Sequence, residues 1–562
     1  MSLHKWLLIL ILATNFILNI WGLDWGLPQL WHPDEMVHKA EAMHEYHTPD
    51  HDYHAYGSLP YYQIILLAVW PIDIWQESLN WQSIEIWTVN TWFARFISVL
   101  MATGIVWIVY GLGNKLFDRK TALISVGLMS VTMGLTNIAH FATADISSIF
   151  WSTLAAYFVI RTWQRGLKRD YILSGALCGI AAAVKYIGGI MILPLLIAHW
   201  LRKKEERSFN DILLTVITAM LTFMLGNASM IFSPCRFMVG FIKENFFNAL
   251  RNTENPPAFI PLITEYVNAT GWPIALLSMS SLFFTLWLIW KPRYRKEVLL
   301  ITSMIVPYYI IIGRMHVSNL RYVIPMLPFI LLLVGKMLSI FIQQEHSLQK
   351  TIWKTILIGT FIYSLLYTVV ADLNFIKDSR YSLEPWLQDN VNTNESLEMT
   401  SYVSDDENYW LYNTYNVNYW PHDYAEWSAK KTLQKSYSYE QTLYSAYKIE
   451  TWAKKYDLCP KDIPTYTSWH EKVTSRYLKD NIASNTSPQG LLDRNPDWLI
   501  ISDLYYNRFL NGYSGTEADS FKQLLANELP YTLVKELEYK GWPGFTPRVE
   551  FVNPRLLVYK KQ

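Results

Sequence analysis

The reading of the chain turns on Trp31-His32-Pro33-Asp34-Glu35-Met36-Val37-His38, which follows the first hydrophobic run directly and sets two adjacent carboxylates beside a membrane surface. Pro33 suits the first turn of a helix, where its missing N–H would have no partner. Asp34 and Glu35 then fall where the helix dipole favours negative charge. A capped helix start and a catalytic carboxylate pair read alike at this level, and the rest of the chain has to separate them.

Working outward, the 562 residues are 51% hydrophobic and only 17% charged, against about 25% charged in a soluble domain. Apolar stretches of membrane-spanning length recur through the first two thirds, so the chain is a polytopic membrane protein. Its net charge of +1 says nothing about partners, and no nucleic-acid partner is expected. Three cysteines (Cys178, Cys235, Cys459) exclude a disulfide-dense scaffold and a Cys-rich zinc site. Cys178 reads as a small apolar residue within a crossing. The first apolar run lacks a small-residue cleavage site and reads as a retained helix.

Eleven crossings are expected, near 5–23, 89–113, 121–139, 144–162, 171–187, 189–201, 211–232, 271–290, 297–313, 322–341 and 352–371. The count can move by two, giving about 11–13. Basic residues set orientation. Lys115, Arg119 and Lys120 share one short loop, and Arg161, Arg165, Lys168 and Arg169 a second. Arg202, Lys203, Lys204 and Arg207 share a third, and Lys291, Arg293, Arg295 and Lys296 a fourth. All four fall on one side, taken as the cytoplasm, with the N-terminus. The first outer loop (24–88) and everything after 371 then lie on the opposite side. Leu59 to Trp75 holds Pro60, Pro71 and Asp73 and is expected in the interface or as a re-entrant segment, because a crossing there would invert every later loop. The run 171–201 has basic residues at both ends and is resolved as a tight hairpin near Gly188-Gly189. After about residue 372 the long apolar runs stop, Asp405, Asp406 and Glu407 appear, and short strand-like runs recur at Trp498–Ile501 and Arg555–Tyr559. Residues 372–562 are therefore expected to form a soluble extracytoplasmic α/β domain beyond a transmembrane domain at 1–371.

Arg95, Asp145, Lys185, Arg314 and Arg321 are ionisable residues at or inside the ends of apolar runs, where they are costly. All map to the outer half, at the level of Asp34. Taken singly, each reads as a snorkelling residue or a structural ion pair. Together they suggest a site that handles a phosphate or carboxylate anion beside a catalytic acid or base. The first outer loop also holds His32, His38, His44, His47, His51 and His54. His32, Asp34, Glu35 and His38 include types that bind divalent metals, but their spacing matches no strong metal motif. Neither a metal nor another cofactor is expected.

These residues resemble the GT-C membrane glycosyltransferases, and among them the polyprenyl-phosphate-sugar-dependent enzymes: protein O-mannosyltransferases and lipid A aminoarabinose transferases. The resemblance rests on the Asp34-Glu35 loop after the first helix, Ala94-Arg95-Phe96-Ile97-Ser98, Ala142-Thr143-Ala144-Asp145 and Ala182-Ala183-Val184-Lys185-Tyr186. It continues with Arg321-Tyr322-Val323-Ile324-Pro325-Met326-Leu327-Pro328 and with Asp378-Ser379-Arg380 followed by Trp386-Leu387. These pieces keep the family's order over residues 1–390. The outer domain does not look like the sugar-binding repeats of eukaryotic protein mannosyltransferases. The resemblance implies an inverting transfer of a sugar from an undecaprenyl- or dolichyl-phosphate donor to a hydroxyl or amine of a lipid, glycan or protein, at the outer face of a bacterial or archaeal plasma membrane. It implies Asp34 as general base, with Glu35 and Asp145 as supporting acids, and Arg95, Lys185, Arg314 and Arg321 as donor-phosphate ligands. A transporter using the same charges is the alternative class, although no matched pair of interrupted helices supports it. A non-catalytic scaffold would leave the charges unexplained. Cys235 and Cys459 are expected on one side of the membrane, within reach of a disulfide if the compartment is oxidising.

Overall fold

The computed structural model describes residues 3–48, 56–79, 83–234, 237–238, 240–241, 256–344, 347–404, 414–420, 486–510 and 516–562. Cys235, Cys459, His51, His54 and the acidic run 405–407 lie outside these.

The first two thirds are helical. Each stretch expected to cross carries helix, but the helices differ in kind. Among the described residues six are long and apolar enough by themselves: Leu3–Ile20, Glu85–Leu116, Phe259–Ile289, Arg295–Gly313, Leu320–Ile342 and Leu348–Asn390. Arg119–Met129 and Met133–Ala139 make a seventh only if counted together across a 62° bend. The polar faces that keep Ala144–Arg165 out of this set are turned inward. Thr153 is buried and back-bonds to the Ile149 carbonyl, and buried Thr162 pairs with buried Ser174.

Leu59 to Trp75 forms one helical path whose middle, Ile65–Val69, is a π turn. Pro71 follows two residues later; it has no N–H to donate and its ring crowds the turn before it, and a widened turn relieves that crowding. In the run 171–201 the helical path breaks at Lys185, three residues before the expected glycines. Lys185 is extended (φ −135°, ψ 129°) between helix Lys168–Val184 and a 3-10 turn at Tyr186–Met191. The break takes the long basic side chain out of the helical register.

The described chain divides into two compact units. The first holds residues 1–24, 34–372 and 545–548. The second holds 373–544, 549–562 and, from the segment after the first helix, residues 25–33. A single cut at residue 372 therefore misses the strap 25–33, which the pattern of apolar runs could not assign.

The second unit is a five-stranded sheet built from β1 (Ser396–Met399), β2 (Asn416–Tyr419), β3 (Trp498–Ser502), β4 (Tyr531–Leu537) and β5 (Leu556–Lys561). The spatial order is β2-β1-β3-β5-β4; the first three are parallel, and β5 and β4 are antiparallel additions. Trp498-Leu499-Ile500-Ile501 is a continuous apolar run because β3 is covered on both faces. Ile500 joins Leu397, Met399, Val558 and the helix residues Leu383 and Leu387 on one face. Leu499 and Ile501 join Leu557, Tyr559, Phe521 and Leu524 on the other.

Candidate active site

Within the first unit, an apolar cluster gathers the elements that carry the expected site residues. Met36, Val37, Ala40 and Met43 pack with Tyr61, Ile64, Ala68 and Val69, with Ala94, with Ala142 and Ala144, and with Val184. Each of the charged residues 34, 35, 95, 145 and 185 is within two positions of a member of this cluster. Hydrophobic packing thus fixes charges that are far apart in sequence.

Asp34 and Glu35 part company there. Glu35 is fully buried with Arg95, which donates through Nε and Nη2 to its two carboxylate oxygens at 2.8 Å each. The third guanidinium nitrogen donates to the Leu23 carbonyl at 3.0 Å. Glu35 Oε1 also accepts from the Ala142 N–H at 2.9 Å, while the Met36 N–H donates back to the Ala142 carbonyl at 3.0 Å. The pair therefore fastens the segment around Glu35 to the residues that open the Asp145 helix. Arg95, expected as a phosphate ligand, is enclosed by the fold instead.

Asp34 is the exposed member, at 34%. Its Oδ2 accepts from Arg321 Nη1 at 2.5 Å. The same Nη1 lies 4.0 Å from Asp145 Oδ2, and Asp145 Oδ1 accepts from Lys185 Nζ at 2.5 Å. The result is a row of alternating charge, Asp34–Arg321–Asp145–Lys185, contributed by four separate segments. Asp145 is 6% exposed, against 14% for Lys185 and 15% for Arg321. The two cations thus keep an accessible side while the carboxylate behind them does not.

Several residues that the sequence did not single out hold this row. Thr143 caps the Asp145 helix: its hydroxyl accepts from the Asp145 N–H and donates to Asp145 Oδ2 at 3.2 Å. A Thr two residues before an acidic first-turn residue is a legible capping signal. Asn319 accepts from the Arg321 N–H at 3.1 Å and starts the turn that presents Arg321. Tyr56 sits under Lys185, with Nζ 4.9 Å from the ring centre. Tyr56 is held there by its neighbours: Gly57 N–H donates to the Val184 carbonyl and Ser58 N–H to Asn227 Oδ1. A Cβ at Gly57 would lie 1.7 Å from the Ala183 carbonyl oxygen, so only glycine allows this approach.

Arg314 is exposed at the C-cap of Arg295–Gly313 and is outside the row. The described histidines are dispersed. His38 stacks on Trp87 at 3.8 Å, His44 meets Asp73 at 3.2 Å, and His32 belongs to the second unit. Among the described residues, no three of His, Cys, Asp or Glu come together as a metal site.

Residues 78–232 match the family model described as dolichyl-phosphate-mannose-protein mannosyltransferase. That span contains Arg95, Asp145 and Lys185. Among solved structures, the oligosaccharyltransferase AglB from Archaeoglobus fulgidus, in complex with an inhibitory peptide and a dolichol-phosphate, aligns over 99% of this chain and 88% of its own at a TM-score of 0.52 and 10% identity, which is a likeness of fold. ArnT from Cupriavidus metallidurans, bound to undecaprenyl phosphate, aligns over 99% of this chain and 98% of its own at 0.48 and 10% identity. Curated protein sequences gave no significant match. The matched segment carries three of the clustered charges, so over these residues the chain is similar to that mannosyltransferase family, and its fold is like that of AglB.

Proposed function

We propose that this enzyme moves a sugar from a polyprenyl-phosphate donor to an acceptor hydroxyl or amine at the outer face of a plasma membrane, with inversion and with Asp34 as general base. The observation that carries the reading is the row itself: one accessible carboxylate shares a guanidinium with a second, enclosed carboxylate that also holds a lysine.

The chemistry needs those parts. An acceptor hydroxyl is a poor nucleophile, so a carboxylate must take its proton as the oxygen attacks the anomeric carbon. The bond from that carbon to the phosphate oxygen breaks, and its electron pair stays on the departing polyprenyl phosphate. Lys185 and Arg321 are fixed where this negative charge grows. Asp145 keeps them oriented while they wait. Asp34 shares Arg321 with Asp145, so a donor phosphate that engages that guanidinium would compete with Asp34 for it when both substrates are present. Glu35 and Arg95 act as the fastening beneath this site. The tail of such a donor keeps its phosphate near headgroup depth, which the ends of apolar helices reach.

The reading predicts cytoplasmic N-terminus and basic loops, with residues after 372 on the far side. The test is to incubate the purified protein with undecaprenyl- or dolichyl-phosphate sugars and follow release of polyprenyl phosphate. Release that depends on Asp34 supports the reading; no release from any such donor by folded protein would sink it.

A further inference from the structure

The row Asp34–Arg321–Asp145–Lys185 draws on four segments, and a fifth touches it without carrying a charge. Residues 56–58, in the same unit, run past the end of helix Lys168–Val184, where the chain turns extended at Lys185. Two hydrogen bonds to their main chain fasten them there. The Gly57 N–H donates to the Val184 carbonyl at 3.1 Å, and the Tyr186 hydroxyl donates to the Tyr56 carbonyl at 3.0 Å.

A further segment locks this contact from behind. Asn227 follows helix Phe209–Leu225 directly after Gly226. Its Oδ1 accepts from the Ser58 N–H at 2.9 Å, and its Nδ2 donates to the Phe223 carbonyl at 2.9 Å. The hydroxyls of Ser58 and Ser229 meet at 3.5 Å. Ser58, Asn227 and Ser229 are all fully buried, so moving residues 56–58 would strand polar groups away from water. Their place is therefore set by groups other than the Tyr56 side chain.

What this lock presents is the Tyr56 ring, with the Lys185 ammonium over it at 4.9 Å from the ring centre. An ammonium has three N–H donors. Asp145 Oδ1 accepts one at 2.5 Å, and the π face of Tyr56 attracts the charge from a second side. Among the described residues no other side chain pairs with Nζ. A single hydrogen bond holds the end of a flexible four-carbon stem without fixing its direction. A ring and a carboxylate together fix both.

We infer that Tyr56 is a positioning residue for Lys185: its ring and the Asp145 carboxylate aim the remaining N–H of the ammonium at the donor phosphate, and Asn227, through Ser58, keeps the ring in place. The role rests on the reading of Lys185 as a donor-phosphate ligand, and it belongs to the ring face of Tyr56, not to its hydroxyl.

The test uses the full-length protein, donor turnover and the variants Tyr56→Phe, Tyr56→Leu, Lys185→Ala and the combination of the last two. Tyr56→Phe keeps the ring and should stay within about twofold of wild type. Tyr56→Leu should lower donor kcat/KM by about tenfold, within the range of a cation–π contact, with acceptor KM little changed. In the Lys185→Ala background the same substitution should cost almost nothing, because effects that act through one group do not add. Should Tyr56→Leu fail to fold, Tyr56→Met, which keeps bulk without a ring, reads the same comparison. Equal losses in Tyr56→Phe and Tyr56→Leu, wild-type donor kinetics in Tyr56→Leu beside an impaired Lys185→Ala, or an undiminished loss in the Lys185→Ala background each overturns the inference. Wild-type donor kinetics in Lys185→Ala would instead overturn the reading of Lys185, and the inference with it.

Discussion

Asp34 and Glu35 are neighbours in the chain and opposites in the fold. Glu35 is fully enclosed, with both oxygens met by one fully enclosed guanidinium. Asp34 is a third exposed and shares its guanidinium with a second carboxylate. An enclosed pair of this kind contributes geometry: both charges have lost water, and neither can be released without stranding the other. An open pair with a competing partner can exchange, which is what a base beside an anionic substrate needs. Carboxylates alike in intrinsic acidity thus divide into an enclosed and an accessible member by what surrounds them.

The largest test of that contrast is Asp34→Asn. Transfer should fall by about 10²–10⁴-fold with the melting temperature unchanged, measured by donor turnover and thermal unfolding of the same preparation. Activity within threefold of wild type would end the distinction and move the role to Asp145.

Glu35→Gln should do the reverse. It leaves Arg95 buried without a counter-charge, at a cost of about 3–5 kcal/mol in stability. Replacing both members, Glu35→Met with Arg95→Met, should recover most of that loss. Thermal unfolding in detergent reads both. A stable but inactive Glu35→Gln would show that Glu35 works in the reaction, and the contrast would fail.

Lys185→Ala and Arg321→Ala sharpen the contrast on the cationic side. Each should weaken donor use by about 1.5–3 kcal/mol, the worth of one charged hydrogen bond, with little change in acceptor KM. Arg314→Ala, outside the row, should leave donor kinetics near wild type. Equal effects of Arg314 and Lys185 would mean that general surface charge, not the row, attracts the donor.

The smallest effect expected is at Glu41, one helical turn beyond the site. Burial pushes its carboxyl up to about 7, with the Asn90 hydrogen bond (2.7 Å) pulling down and Glu45 adding to the rise. The folded chain then holds a proton that the unfolded chain releases above its ordinary value of 4.5. The stabilising contribution is complete below that value and is lost as pH rises through about 7. Glu41→Gln should match wild type in melting temperature at pH 5 and exceed it at pH 8. No pH dependence in the difference would place Glu41 in contact with water.

Much of the outline was legible in one dimension, since hydrophobic length and charge spacing are local properties. The apolar helices of the first two thirds, their places and the change of texture after 372 followed from them. The roles within the set did not. Arg95 and Lys185 look equivalent at the ends of apolar runs, yet one is spent on Glu35 and the Leu23 carbonyl, and the other faces Tyr56 and Asp145. The strap 25–33 looked like ordinary loop because its partners, Asp378, Arg380 and Phe551, are more than 340 positions away.

The sequence by itself determined that this chain carries apolar runs of membrane-spanning length with carboxylates and cations at their ends, and that it resembles a class of lipid-linked sugar transferases. Those are consequences of which side chains water rejects and which it keeps, and each residue carries that preference wherever it goes. The tertiary structure alone decided which carboxylate is sealed and which is open, and which unit grips the residues before Asp34. Pairing and enclosure depend on the few ångströms between residues distant in the chain, and only the packing of the apolar faces sets those.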